Sequence, residues 1–320
     1  MNLDVICLGE VLVDFISTEP GVSVSEAPAF IKAQGGAMAN VAVGLARLGV
    51  KSGFLGKVGR DEFGRFLEHG LRENKVDTTM LYFSESYPTG LVFVALDKAR
   101  KPSFCFFGKP SADMMLKPEE VRPEFFEHVR FLHIATVSIV QEPAREATFR
   151  AVELAREKGV PVSFDPNFRL HLWQDQALLK SLTGELARQS NLVKLSQEEL
   201  NFLLGESEIE SACARLLEMG PQAVVVTMGE HGAYYATAEG RGKDSGFKVK
   251  TVDTTGAGDA FMAGILAELL EKKTWPPSPD DLAHAVRFAN ATAALSTLKP
   301  GAVAALPDLN RVREFIRSPS

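Results

Sequence analysis

A carboxylate set at the mouth of a glycine turn is the group in this sequence best placed to do chemistry. In Asp253-Thr254-Thr255-Gly256-Ala257-Gly258-Asp259 a β-prone stretch gives way to the helix-forming run AFMAGILAEL (260–269). Two glycines at such a junction let backbone amides converge on an anion, and the free N–H groups of a helix start add positive partial charge. That environment suits developing phosphoryl charge. Asp259 beside it suits a proton acceptor for a hydroxyl attacking phosphorus. The plainer reading is a helix N-terminus with aspartate as a favourable dipole partner. Rival signatures are missing. Phe261 stands where a dinucleotide fingerprint needs a small residue, no glycine precedes Lys-Ser or Lys-Thr, and neither H-E-x-x-H nor G-x-S-x-G occurs.

Other polar residues interrupt apolar or turn-like stretches. Asp14 sits in VLVDF (11–15), and either faces inward to ligand hydroxyls or lies on an exposed position of an edge strand. Gly35 and Gly36 allow the backbone to approach a ligand, or simply make a tight turn. Asn40 directly precedes VAVGLARL (41–48) and is either a ligand contact or that helix's N-cap. In VSFDPNFRLHLW (162–173), Asp165, Asn167 and Arg169 form a polar cluster behind a strand, with Pro166 blocking its continuation into a helix. Arg169 is then a substrate or phosphate contact, or half of a structural ion pair.

The elements that must position these groups follow from hydrophobic pattern. FLHIA (131–135), PVSFD (161–165), NLVKL (191–195) and QAVVVTM (222–228) are continuous apolar runs, as in strands of a parallel sheet buried on both faces. Between them lie helical segments with charged faces, and Gly159 and Gly220 stand where C-terminal caps belong. The alternation predicts an α/β fold with a doubly wound, mostly parallel sheet flanked by helices. The first third is different. LVDFIST (12–18), APAFIKA (27–33), GLVFVALD (90–97) and KPSFCFFG (101–108) are β-rich, with helical patterns at 38–48 and 61–74 and a turn-length link at KARK (98–101). One domain over 1–320 is expected, with excursions at about 12–33 and 88–110 forming a small sheet that serves as a lid, as a dimer contact, or as both. TWPPSPDD (274–281) reads as a loop, GRGKDSG (240–246) as a hairpin turn, and the final RSPS as a frayed end.

Composition sets the outer bounds. A chain of 320 residues, 45% hydrophobic and 24% charged, can build a full core and is not wholly disordered. A formal net charge of -6 counts against a broad basic face for nucleic acid, though not against a local anion site. Three cysteines without C-x-x-C spacing suit a reducing cytoplasm. Asp4, Glu10 and Asp14 interrupt any leader-like apolar run, and AFMAGILAELL (260–270) is too short for a membrane span, so a soluble cytoplasmic protein is expected.

DTTGAGDAF (253–261) closely resembles the C-terminal signature of the ribokinase-like, or PfkB, carbohydrate kinases. GEVLVDF (9–15), GGAMANVAVGLARLG (35–49) and GKVGRDEFGRFL (56–67) resemble further motifs of that family in the family's order, so the likeness covers almost the whole chain. It implies a catalytic base at Asp259 and a backbone anion hole at Gly256, Ala257 and Gly258. It places the sugar against Asp14, Gly35, Gly36, Asn40, Phe107 and Arg169. VKLSQEELNFLLG (193–205) resembles a segment that puts Lys194 near phosphates and links Glu199 to Mg2+ through water. ATP is then contacted by Thr227, Gly229 and Gly232 in VVVTMGEHGA, with Asn290 bordering the adenine. Asp253 and Thr255 match positions that bind K+ in many members, but Ala305 stands where a further ligand is often Ser. A homodimer through the lid sheet is also common in such enzymes.

Within the family, KPSADMML (109–116), FDPNFRLHLW and LVKLSQEELNFLLG resemble fructokinases, which implies transfer of the γ-phosphoryl group of ATP to fructose, giving fructose 6-phosphate. Gly108 is a departure, because relatives commonly carry arginine there, and Lys109 does not replace a planar multidentate donor. Kinases of 2-keto-3-deoxygluconate and of aminoimidazole riboside stay open on the same chemistry. From other classes, a non-catalytic sugar-binding sensor has no need of the Asp259 base, and a dehydrogenase is opposed by Phe261.

Overall fold

The computed structural model describes residues 3–96, 102–206, 208–272 and 275–317. Nine strands form the main sheet: β1 (Val5–Leu8), β4 (Ser52–Gly59), β5 (Leu81–Ser84), β8 (Phe131–Ala135), β9 (Val162–Asp165), β10 (Leu192–Ser196), β11 (Ala223–Thr227), β12 (Ala233–Thr237) and β13 (Arg241–Asp244). They lie in the order β13-β12-β11-β10-β9-β8-β1-β4-β5. All pairings from β11 across to β5 are parallel, and β12 and β13 close one side antiparallel.

Side-chain alternation along these strands divides the core in two. Val5 and Cys7 of β1 pack into one layer with α1 (Ala37–Arg47), α7 (Ala257–Glu271) and α8 (Pro279–Ser296). Ile6 and Leu8 face the other layer, with α3 (Ala144–Glu157), α4 (Gln176–Gln189), α5 (Gln197–Leu204) and α6 (Ile209–Met219). The first layer is completed by α2 (Glu62–Glu73), α9 (Ala302–Ala305) and α10 (Leu309–Arg317). Helix α7 is buried along nearly all its length, which explains why its sequence has no polar face.

After β1 the chain adds β4 and β5 on one side and returns to the other with β8. The carboxyl ends of these parallel strands therefore diverge at β1 and β8, the place where open α/β sheets bind ligands.

A second sheet, in the order β3-β2-β6-β7, is built from β2 (Leu12–Ser17), β3 (Phe30–Gly35), β6 (Leu91–Leu96) and β7 (Pro102–Phe107). One face packs on α2 through Phe15, which meets Phe63 edge-on at 5.8 Å and stacks on Phe93 at 4.9 Å. On the other face Ile16, Ile31 and Phe104 are exposed. Strands β6 and β7 pair antiparallel from Leu91↔Phe107 to Leu96↔Pro102, and the KARK turn expected between them lies outside the described residues. So do the last three residues of the expected frayed end.

Several sequence expectations are corrected. Residues 241–244 are not a turn but strand β13, an edge strand whose Arg241 and Lys243 point to solvent. Helix α8 starts inside the expected loop, because Pro279 occupies the first helical position, where its missing N–H costs nothing, and Ser278 caps it by accepting from Asp281 N–H at 3.1 Å. Asn40 is not an N-cap: α1 begins at Ala37. Asp14 is not on an edge strand, since β2 lies between β3 and β6. Among the described residues no helix is long and apolar enough to cross a membrane.

Candidate active site

The turn that opened the sequence argument forms the entry to α7. Gly256 adopts a left-handed φ of 75°, and a Cβ there would come within 2.8 Å of the Ala302 Cβ, so only glycine fits. Asp253 braces the turn from its start. Its Oδ1 accepts the N–H of Thr255 at 2.9 Å and the Thr255 hydroxyl at 2.7 Å, and its Oδ2 accepts the N–H of Gly301 at 2.8 Å. Burial works against its charge, but these bonds hold the carboxyl below the usual range. The Ala257 N–H is already spent on the Thr254 carbonyl at 3.1 Å. The N–H groups of Gly256, Gly258 and Asp259 have no acceptor among the described residues, so of the three amides expected to form an anion hole those of Gly256 and Gly258 are free and that of Ala257 is not, while the Asp259 amide joins them.

Asp259, in the first turn of α7, is buried at 6% exposure. Its Oδ2 accepts from Asn40 Nδ2 at 2.8 Å and its Oδ1 from Asn167 Nδ2 at 3.2 Å. Burial pushes its carboxyl above the usual range, against the pull of the Asn40 bond and of the Arg169 and Lys194 charges. A raised value strengthens an aspartate as a base, and two amide donors aim it without neutralising it. Asn40, expected on the sugar, thus donates to Asp259, while its own buried Oδ1 has no partner.

Under the turn lies a buried ion pair, Lys194 Nζ to Asp165 Oδ2 at 2.9 Å. Burial opposes the ammonium, but the carboxylates of Asp165, Glu199 and Asp259 outweigh it and hold Lys194 above the ordinary lysine range. A Cβ at Gly258 would stand 3.3 Å from Lys194 Nζ, which places this cation directly against the free amides. Glu199 closes a capping box on α5: its Oε2 accepts from Ser196 N–H and its Oε1 from Phe168 N–H, each at 2.8 Å. It thereby ties β10 to the 165–169 loop. Each oxygen keeps a second lone pair, so Glu199 fits Mg2+ as an outer partner through water. The side chains at the expected K+ position fit less well, because Asp253 and Thr255 are bonded to each other and Ala305 brings no oxygen.

A cavity under the small sheet is lined by Leu12, Phe106, Phe107, Lys109, Val137 and Arg169, among others. Asp14 accepts no hydrogen bond from any described residue; burial pushes it up to about 6, against the pull of Arg169. A Cβ on Gly35 would fall 2.2 Å from Asp14 Oδ2, so the glycine keeps that carboxyl clear. Gly36, at a φ of 101°, turns the chain into α1. Arg169 bonds only to the carbonyls of Asn167 and Phe168 and the Asn167 side chain, so the ion-pair reading fails among the described residues. Its charge instead acts on Glu10, Asp14 and Asp259. Phe107 is 64% exposed at the cavity mouth.

The remaining candidates lie at the end of β11, in the turn that follows it and on α8. Thr227 ends β11, with its hydroxyl donating to the Leu195 carbonyl at 3.3 Å, and Gly229 follows at a φ of 57°. Gly232 packs on β13, where a Cβ would meet the Asp244 carbonyl at 2.0 Å. Asn290 Nδ2 donates to Asp244 Oδ1 at 2.7 Å. Sequence reasoning passed over Asp165, Asn167 and Asp244, although Asp165 and Asn167 were visible as a polar cluster. A surface concavity of about 710 Å³ lies elsewhere, against Phe149, Arg150 and Glu153 of α3, and holds none of these groups.

A buried carboxylate beside free amides and a lysine is an arrangement suited to passing a phosphoryl group to a hydroxyl. Comparison with known proteins agrees. The model of the pfkB family carbohydrate kinases matches residues 2–309. The chain belongs to that family. It is therefore a carbohydrate kinase on the ribokinase-like fold. Over 98% of its length it is 39% identical to the "Probable fructokinase-7" of Arabidopsis thaliana, covering 92% of that protein. Its structure matches a Vibrio cholerae fructokinase in its fructose, ADP and calcium ion bound form with a TM-score of 0.89 at 36% identity, over 99% of both chains. It also matches the Salmonella enterica aminoimidazole riboside kinase, complexed with aminoimidazole riboside and an ATP analog, with a TM-score of 0.88 at 32% identity, over 98% of this chain and all of that one.

Proposed function

We propose that this kinase is an ATP-dependent fructokinase that converts fructose to fructose 6-phosphate. The observation that carries the reading is Asp259, held by two asparagines beside a nest of free amides and the buried Lys194. The names of its relatives favour fructose among the family's acceptors.

The sugar lies under the small sheet, held by Asp14, Gly35, Gly36, Asn40 and Arg169, with Phe107 at the rim. Its reacting hydroxyl gives its proton to Asp259 as the oxygen bonds to the γ-phosphorus, and the bond to ADP breaks. Transfer of this proton comes late in a loose transition state. The amides of Gly256, Gly258 and Asp259, with Lys194, offset charge on the phosphoryl oxygens. Thr227, Gly229, Gly232 and Asn290 border the nucleotide. Mg2+, when bound, neutralises charge on the polyphosphate, with Glu199 as its outer partner. The small sheet acts as a lid that keeps water from the phosphoryl group. Its exposed Ile16, Ile31 and Phe104 suit burial against a second copy of the chain.

One observation favours a second acceptor. Phe104 and Phe106 stack on His171 at 5.9 and 5.0 Å beside the cavity, a surface on which a heterocycle such as that of aminoimidazole riboside would pack. The test is ADP release with Mg-ATP across fructose, ribose, 2-keto-3-deoxygluconate and aminoimidazole riboside, with and without K+. Fructose is expected to give the highest kcat/KM; another acceptor far above it overturns the substrate while leaving the family untouched.

A further inference from the structure

The cavity holds two carboxyl oxygens that neither the fold nor the mechanism above employs. Glu10 follows β1 and is 6% exposed. Its Oε1 accepts the Ala37 N–H at 2.9 Å, capping α1 across the chain, while its Oε2 is buried without a partner. Asp113 belongs to a short 3-10 helix (Ala112–Met115), and its Oδ1 is likewise buried and unpartnered. Both residues line the cavity together with Arg169 and Lys109. Gly90 leaves room between them and the roof, since a Cβ there would come to 3.0 Å from Asp113 Oδ1. Leaving a buried acceptor unbonded is costly, so each oxygen awaits a donor.

We propose that Glu10 Oε2 and Asp113 Oδ1 form a second recognition edge of the sugar site, accepting hydroxyl protons of a neutral sugar and repelling sugar acids. This rests on the reading that a neutral sugar is phosphorylated at Asp259. The electrostatics agree: burial pushes Glu10 up to about 7, Asp113 pushes it further in the same direction, and Arg169 pulls back. Burial also raises Asp113, against its bond from Ser111 and the charge of Lys109. A fourth carboxylate brought in by a ligand would meet Glu10, Asp14 and Asp113 with two cations, Arg169 and Lys109, to offset all of them. Hydroxyls meet no such repulsion and supply the missing donors.

The test compares wild type, Glu10→Gln and Asp113→Asn by calorimetric titration with fructose without nucleotide, and by kinetics with fructose and 2-keto-3-deoxygluconate at saturating ATP. In Glu10→Gln the amide oxygen must stay on the Ala37 N–H, which puts an NH2 group where Oε2 stood. Kd and KM for fructose are expected to rise about tenfold or more in each variant, the scale of a lost charge-assisted bond. With kcat kept within about threefold and KM for ATP unmoved, the preference for fructose over the acid falls at least tenfold. An unchanged fructose Kd in both variants overturns the proposal. So does a fall in kcat at constant Kd, the mark of a residue that only braces the Gly35–Gly36 turn. A wild type that ignores fructose defeats the parent reading instead; the same Kd comparison then uses its preferred neutral acceptor, and a preference for the acid overturns the proposal.

Discussion

Asp253 and Asp259 stand at the two ends of one turn, and their surroundings push them in opposite directions. Asp253 receives two backbone amides and a hydroxyl, which hold its carboxyl below the ordinary range. Asp259 is more deeply buried and receives only two side-chain amides, so burial wins and its carboxyl rises. The same residue type thus gives a brace at one end and, in the proposed reaction, a base at the other. Which donors arrive, and from how far along the chain, decides between them.

The sharpest way to break this contrast is Asp259→Asn. The substitution keeps shape and one acceptor oxygen while removing the group that takes the proton. Turnover is expected to fall by about 10²–10⁴, the range for a lost general base, with the unfolding midpoint unchanged or slightly raised because a buried charge is gone. Wild-type-like turnover in steady-state assays would remove Asp259 from the reaction. A large drop in stability would instead make it a second brace.

The contrast has a pH signature of smaller amplitude. Folded Asp259 and Asp14 titrate above the ~3.9 of an unfolded aspartate, so between those values the native state binds the extra protons. The stability they contribute is full below ~3.9 and is lost as pH rises through their folded values, about 6 for Asp14. Asp253 has the opposite sign: its contribution is present above ~3.9 and is lost only as pH falls through its depressed folded value. Catalysis needs Asp259 ionised. As pH falls through the raised value of Asp259, kcat/KM is therefore expected to decline on an acid limb while the unfolding free energy holds or rises. Parallel pH profiles from urea unfolding and kinetics check this, and a stability loss that tracks the activity loss would contradict it.

How much of this was readable in advance depended on sequence distance. FLHIA is β8 to the residue, because a strand buried on both faces writes itself as an unbroken apolar run. Asp259 and its glycines were legible because the turn and the helix dipole are local. The start of α1 was not, since Gly36 offers no capping side chain and the cap comes from Glu10, far back along the chain. Asn40, read as a sugar contact or as an N-cap, lies inside that helix and bonds to Asp259. Glu199 was half legible: its capping box with Ser196 is written in four consecutive residues, but its bond to the Phe168 amide depends on β9 and β10 lying side by side. β13 escaped notice because an exposed edge strand has no apolar pattern to read.

The mildest change probes the brace alone. Thr255→Ala removes the hydroxyl bond to Asp253 but keeps the Thr255 N–H bond to the same oxygen and the Gly301 bond to the other. A single such bond is worth about 0.5–1.5 kcal/mol, so denaturant unfolding should show a loss of that size. Asp253→Ala removes all three acceptor contacts and should cost more, because two backbone donors lose their partner. If the turn is rigid only through Asp253, kcat follows this order while the acid limb stays in place, since Asp259 keeps its own donors from α1 and the 165–169 loop. A shifted acid limb in Thr255→Ala would mean that the two ends of the turn are electrostatically coupled after all. The separation of brace from base would then fail. An unchanged limb with a graded kcat would place the coupling in the positions of the amides, where an ångström of slack weakens every bond to the moving phosphoryl group.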